Sequence, residues 1–299
     1  MTMSMPTLPI AIDLGYGAIK IATRAGERTA IKEFPAGVVQ TDHKSVRLMG
    51  DKMVRSPRVQ IVHEGVTYTF RVGAEDLPVL SPSSRKAFWK SAEMMALICY
   101  ALSLVGKGNE RRFSVIFGIP AGWLSAYREE KSSPPKELTF KVASGEDVTL
   151  RPFHVNLEGV YIYGQTLGGG RYISQNFPHR EELLTGEPWA IVDVGHGTSD
   201  IAVFSGNRLL SPPTSYEYGV STEVAAMSLA TGQELGIRAS LDEARQRNMM
   251  RWVVGRMHDV ERAHRASRFF LIGGGAEIIR PVVSDVTLCS WEKGFTDNR

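Results

Sequence analysis

Short apolar stretches, some alternating with polar residues and some unbroken, dominate the first third of the chain. PIAIDLGYGAIKIATR, beginning at residue 9, reads as a strand, a glycine turn and a second alternating strand, with TAIKEF as a third. RVQIVH and VTYTFRV (66–72) extend this strand-rich opening. The spacing turns helical in RKAFWKSAEMMALICYALSLVG (85–106), where Ala, Met and Leu prevail and Gly106 is placed to end the helix. RRFSVIFGIP (111–120) predicts a short buried strand ending in Gly118 and Pro120. AGWLSAYREE predicts the start of a helix, and KELTFKVASGEDVTLRPFHV a hairpin. GQTLGGGRYISQNFPHREELLTGEP (164–188) carries enough Gly and Pro to predict mostly loop, and the second half restarts as a strand at Trp189.

Composition narrows the class without naming a function. With 299 residues, 43% of them hydrophobic, the chain can build one large or two medium domains around a sizeable core. Its 35 basic and 32 acidic residues leave a net charge of +3, and no block of like charge marks a nucleic-acid surface. Cys99 and Cys289 are the two cysteines, too far apart in sequence for a CxxC site, which suggests neither a disulfide framework nor zinc. The N-terminus lacks a basic region followed by an apolar stretch, and no run approaches the roughly 18 apolar residues of a membrane span. The expectation is a cytoplasmic protein with no membrane partner.

The informative feature is a repeat. Laid over AIVDVGHGTSDIA (190–202), IAIDLGYGAIKIA (10–22) matches Asp13 with Asp193, Gly15 with Gly195, Gly17 with Gly197, Ile21 with Ile201 and Ala22 with Ala202, at a constant offset of 180 residues. One Asp-Gly turn is usually just a turn, but two in register suggest duplicated half-domains. Gly-x-Gly at a strand turn can aim backbone N–H groups at an anion. An Asp at the preceding strand end can hold Mg²⁺ through water, and the metal neutralises phosphate oxygens. Lys20 adds a positive charge to the first hairpin, and Asp200, at the equivalent place on the second, could bind a metal-ligated water. A third glycine element, FFLIGGGAEIIRP (269–281), runs from a strand through Gly273, Gly274 and Gly275 into a helix, a turn that can accept a nucleotide. No GxxxxGK[ST] occurs, and neither hairpin completes GxGxxG.

In that order, DLGYGAIK, DVGHGTSD and LIGGGAEII resemble the phosphate-1, phosphate-2 and adenosine motifs of the actin, sugar-kinase and heat-shock chaperone superfamily. The DxGYGxxK opening, EFPAGVV and VIFGIPAGWLSAYR are most similar to bacterial and archaeal actin-like ATPases of the ParM/StbA plasmid-segregation type. The resemblance implies a two-lobed α/β fold of duplicated ribonuclease H-like domains with the nucleotide cleft between them. Lobe I would be residues 1–165 and lobe II 166–299. By position, Asp13 and Asp193 would flank the β- and γ-phosphates and organise Mg²⁺, with Asp200 as a further metal candidate and Lys20 near the phosphates. Gly15, Tyr16, Gly17, Gly195, His196 and Gly197 would supply backbone N–H groups, Thr198 a hydroxyl, and Gly273, Gly274 and Gly275 the adenine and ribose lining. The residue that positions the attacking water is a Glu after Pro in ParM relatives. Glu158 in VNLEGVYIYG is the first candidate here and Gln165 the second, with Leu157 standing where the proline would be. KGFTDNR resembles the start of the second interdomain helix, so the final helix of the pattern is expected to be absent.

Other features read more plainly. His196 takes the place that Tyr16 has in the first hairpin, so its backbone rather than its imidazole is expected to matter. Met94, Met95 and Trp89 read as core, and the Arg-rich 241–268 stretch as a structural helix with a basic outer face. YGVSTEVAAMSLATG (218–232) opens a helix near Gly219, with Ser221 and Thr222 as N-cap candidates and Glu223 close behind. In the family this region faces the nucleotide sugar. The resemblance thus implies a Mg²⁺-dependent ATPase, GTP being left open, that forms filaments with itself and reaches plasmid DNA through a DNA-binding adaptor. A small-molecule kinase of the same fold and a non-polymerising ATP-dependent switch are the alternatives.

Overall fold

A computed structural model describes residues 6–25, 28–41, 56–75, 77–80, 88–124, 127, 135–144, 149–178, 180–231 and 241–283. By its internal contacts the chain divides into two compact units. Met1–Gly118 and Ser125–Ile162 form the first, and Ile119–Leu124 with Tyr163–Arg299 the second. The sequence-based boundary at 165/166 has no equivalent of the short Ile119–Leu124 excursion. The KGFTDNR stretch and Cys289 lie outside the described residues.

The first unit is built on β1 (Leu8–Leu14), β2 (Ala18–Ala25), β3 (Arg28–Pro35), β4 (Val38–Gln40), β5 (Arg58–His63), β6 (Val66–Val72), β7 (Glu110–Ile119), β8 (Glu137–Ala143) and β9 (Arg151–Gly164). These form one sheet in the order β3-β2-β1-β7-β9-β8-β5-β6-β4. β1 is antiparallel to β2 and parallel to β7. Its alternation buries Ile10, Ile12 and Leu14 on one face. The predicted 136–155 hairpin is present as the antiparallel β8–β9 pair.

Helix α1 (Ala92–Ser103) packs on β5 and β6 and buries Met94, Met95, Leu97 and Ile98. Ser91 caps it, accepting the Met94 N–H at 3.2 Å. The helix is shorter than the 85–106 pattern, and its last carbonyls are taken by cations. Lys32 Nζ donates to Leu104 O at 2.6 Å. Arg111, the first inward residue of β7, donates to the carbonyls of Leu102, Ser103 and Val105. AGWLSAYREE begins as a single turn at Ala121–Trp123, and most of its remainder lies outside the described residues.

The second unit centres on β10 (Trp189–Val194), between the antiparallel β11 (Ser199–Ser205) and the parallel β14 (Arg268–Ile272). β12 (Arg208–Leu209) and β13 (Thr214–Tyr216) both pair with β11. Because helices cover both faces, β10 is apolar and buried without alternation from Trp189 to Val192, before Asp193. Ala190, Val192 and Val194 face α4 (Val220–Thr231), α5 (Glu243–His264) and α6 (Gly274–Val283) through Val224, Met249, Val253 and Ile279. Trp189 and Ile191 face α2 (Gln165–Asn176) and α3 (Arg180–Thr185) through Ile173 and Leu183.

The 164–188 stretch, expected as loop, therefore holds two helices. Its glycines serve close packing of α2 on the sheet. A β-carbon at Gly170 would come within 2.4 Å of the Phe204 ring, and one at Gly169 within 2.8 Å of Ile272. The arginines of α5 are largely paired with acids: Arg247 with Glu243 at 2.5 Å, and Arg256 and Arg262 with Asp259 at 3.0 and 2.7 Å. The outer face is thus ion-paired rather than a basic stripe.

Candidate functional site

Each unit carries one of the two Asp-x-Gly-x-Gly sequences as a tight hairpin, and the two turns share a geometry. In the first, Asp13 stands in register with Lys20 and Leu14 with Ile19. A β-carbon on Gly15 would lie 2.5 Å from the carbonyl oxygen of Ala18. Gly195 has the same relation to Thr198 O, at 2.7 Å, and donates its N–H to that oxygen at 2.8 Å. Only glycine permits so close a turn in both places. Asp13 is half-buried, Tyr16 buried and Lys20 exposed, and Gly17 O accepts the Ala36 N–H at 3.1 Å.

In the second unit the sequence-distant pieces meet. β10 runs parallel to β14 with Asp193 in register with Ile272, which sets the turn into α6 beside the Asp193 carboxylate. Gly273 has φ +89°, and a β-carbon there would lie 2.3 Å from Asp193 Oδ1 and 2.5 Å from Val194 O. A β-carbon on Gly275 would meet Val194 at 2.6 Å, while one on Gly274 would meet nothing within 4 Å. The missing side chains leave a cradle between a half-buried carboxylate and the amino end of a ten-residue helix. Oxygen donors and anion-directed N–H groups fit a phosphate carried with a hydrated Mg²⁺. Among the described residues, no three Asp, Glu, His or Cys side chains group to hold a metal by themselves.

The start of α4 docks on the same hairpin. Val220 N–H donates to Gly195 O at 3.2 Å and Ser221 N–H to His196 O at 2.7 Å. A β-carbon on Gly219 would lie 2.6 Å from His196 O. His196 enters this arrangement through its backbone, and Thr198 is buried. The helix begins at Val220, so Gly219 and not Ser221 or Thr222 is the capping residue. Thr222 instead reaches back, its Oγ1 accepting the Gly219 N–H at 3.2 Å. Glu223 is buried, accepts the Tyr218 hydroxyl at 2.7 Å and pairs with Arg245 at 3.5 Å. Burial, together with the bond to Glu223, pushes the Tyr218 phenol above its ordinary range. The structure thus gives Glu223 a local structural role in place of an open carboxylate toward a sugar.

Two other expectations change. Glu158 accepts the Thr7 hydroxyl and pairs with Arg112 at 3.3 Å, both partners being exposed. Arg112 precedes Phe113, which is in register with Leu8, whereas Asp13 is in register with Gly118. Glu158 therefore sits at the opposite end of β1 from Asp13, roughly 15 Å away along the strand. Gln165 is the first residue of α2, after the N-cap Gly164, whose β-carbon would touch Ala121 and Leu124 at 3.1 Å.

Asp200 is 1% exposed. The Ser215 hydroxyl donates to Oδ1, the Thr198 hydroxyl approaches Oδ2 at 3.4 Å, and the Ala121 and Gly122 amides donate to the same carboxylate. Burial pushes its carboxyl above the usual range, and these bonds offset part of that rise. A carboxylate so enclosed does not fit the open metal ligand expected at this position.

The chain belongs to the actin-like proteins. The N-terminal domain of that family matches residues 11–168, more than half of the chain. The archaeal actin homolog Ta0583 has the same fold, with 17% identity, coverage of 94% of this chain and 92% of that chain, and a TM-score of 0.66. Ta0583 has also been solved in complex with ADP, matching with 18% identity, 93% and 91% coverage and a TM-score of 0.64. A ParM from Clostridium botulinum, in a 15-stranded filament, matches with 17% identity, 94% and 92% coverage and a TM-score of 0.66. Actin-like protein Alp7A matches with 14% identity, 94% and 88% coverage and a TM-score of 0.67. No curated protein sequence matches the chain. Among the described residues no helix is long and apolar enough to cross a membrane.

Proposed function

We propose that the protein binds and hydrolyses ATP with Mg²⁺ and that its nucleotide state governs assembly into filaments. The observation that carries this reading is the Asp193 carboxylate lying over Gly273, where one of two like-shaped hairpins meets the amino end of α6. Asp193 would act on the phosphates, and Asp13 and Lys20 offer the like-shaped hairpin of the first unit the same phosphate-directed chemistry. The glycines of both hairpins and of Gly273–Gly275 let backbone N–H groups approach without steric hindrance. Mg²⁺, held through water by Asp193, would neutralise charge on the transferred phosphoryl group. Gln165, at the start of α2, would orient the attacking water, which makes catalysis a matter of positioning and electrostatics.

Support for filaments comes from the fold and from the C. botulinum ParM, which is seen as a filament. Support for an adenine nucleotide comes from the Ta0583 complex with ADP. In this reading plasmid DNA is reached through a DNA-binding adaptor, in keeping with the small net charge. Phosphate release and light scattering, with electron microscopy, after addition of ATP and Mg²⁺ test the proposal. Phosphate release without an added acceptor, together with filaments, is the expected result. Strict dependence on an acceptor hydroxyl would replace the ATPase by a kinase, and hydrolysis without filaments would leave a nucleotide switch.

A further inference from the structure

Ile119–Leu124 interrupts the first unit yet belongs by its contacts to the second. The feature that attaches it is a polar knot around Asp200. Ser215 Oγ donates to Asp200 Oδ1 and accepts the Gly122 N–H at 2.7 Å, and the Ala121 and Gly122 amides donate to the Asp200 carboxylate. The fit is close, since a β-carbon on Gly122 would lie 2.6 Å from the Ser215 side chain. Each partner named is a hydroxyl or an amide, and hydrogen bonds to an ionised acceptor are about twice as strong as neutral ones. A buried carboxylate is costly unless it is satisfied in this way.

The segment has consequential neighbours. Ile119 is bonded directly to Gly118, which is in register with Asp13. Ala121 lies against Gly164, the residue before Gln165. Asp200 itself stands opposite Asp193 in the β10–β11 ladder.

We propose that Asp200 is a positioning residue, a latch that fixes Ile119–Leu124 to the second hairpin and thereby holds the start of α2, with Gln165, in its place. The latch follows from the hydrogen bonds alone; its effect on turnover rests on the ATPase reading. Hydrogen exchange on the full chain tests the latch without nucleotide. In Asp200→Asn, which sets an N–H₂ among amide donors, peptides covering 119–124 should exchange about tenfold or more faster, while β14 and α5 are unchanged. Ser215→Ala should accelerate the same peptides to a lesser degree, and it decides the question if Asp200→Asn does not fold. Unchanged exchange at 119–124 in these variants would overturn the latch. In hydrolysis assays of Asp200→Asn, a fall in kcat of about tenfold with KM within about threefold is expected, with the Mg²⁺ dependence unmoved. A shift of about tenfold in the Mg²⁺ concentration required, with exchange unaltered, would instead make Asp200 a metal ligand and overturn the proposal. If the wild-type protein hydrolyses no nucleotide, the exchange experiment still decides the latch.

Discussion

Asp193 stands directly across the β10–β11 ladder from Asp200, whereas the place opposite Asp13 in the first hairpin is taken by Lys20. Like charges facing each other on adjacent strands are unfavourable unless one of them is otherwise satisfied. Hydroxyls and amides enclose Asp200, so the two aspartates of this hairpin have separate tasks. Half-buried Asp193 is left as the carboxylate beside the Gly273 turn.

Asp193→Ala should therefore lower ATP-dependent phosphate release by about a hundredfold or more while the fold persists. Near wild-type release would remove the second hairpin from the reacting site.

Gly273 has φ +89° and no room for a β-carbon beside Asp193. Gly273→Ala should cost about 1–3 kcal/mol and weaken nucleotide binding. Gly274→Ala, where a β-carbon would meet nothing within 4 Å, should leave the unfolding midpoint almost unchanged. Equal midpoints for the two variants in urea denaturation would contradict the strain argument.

Gln165→Ala should reduce kcat by about tenfold to a thousandfold with little change in nucleotide affinity, because it removes a positioning group. Glu158→Ala should leave kcat within about threefold and shift stability by less than about 1 kcal/mol, the usual worth of an exposed ion pair. Steady-state kinetics of the pair distinguishes the two assignments, and the reverse pattern would restore Glu158.

Arg111 donates to four carbonyls, of Leu102, Ser103, Val105 and Gly108, and lies over the Phe153 ring at 4.7 Å. Arg111→Met keeps the apolar stem but leaves the end of α1 without these donors. A loss of about 2–4 kcal/mol is expected from denaturant unfolding.

Gly170→Ala would drive a methyl group into the Phe204 ring. The expected cost is about 1–3 kcal/mol in unfolding, from overpacking of α2 on β11. A stability equal to wild type would mean that the helix can shift outward at no cost.

Local chemistry made both hairpins legible in the sequence. An apolar strand, an aspartate at its end and two glycines one residue apart specify a tight turn by backbone sterics, and the second copy at 180 residues made the family resemblance readable. The same holds for the presence of α1, whose Ala, Met and Leu spacing is a property of a few neighbouring residues, while its start at the Ser91 cap came from the structure.

The glycine run 168–170 misled in the other direction, because a glycine that opens a loop and one that lets a helix lie close on a sheet are identical in sequence. Phe204 and Ile272, remote along the chain, decide which it is. The separation of Glu158 from Asp13 could not be read from residue type, since the register of β1 with β7 determines which end of the sheet Glu158 occupies. Asp200 likewise matched Lys20 by position, and only the approach of Ser215 and Ile119–Leu124 turned it inward. By itself the sequence determined the turns and the aspartates at their strand ends, because these depend on adjacent residues. The tertiary structure decided which carboxylates stay open and which are enclosed, because burial and hydrogen bonding are set by partners distant in the chain.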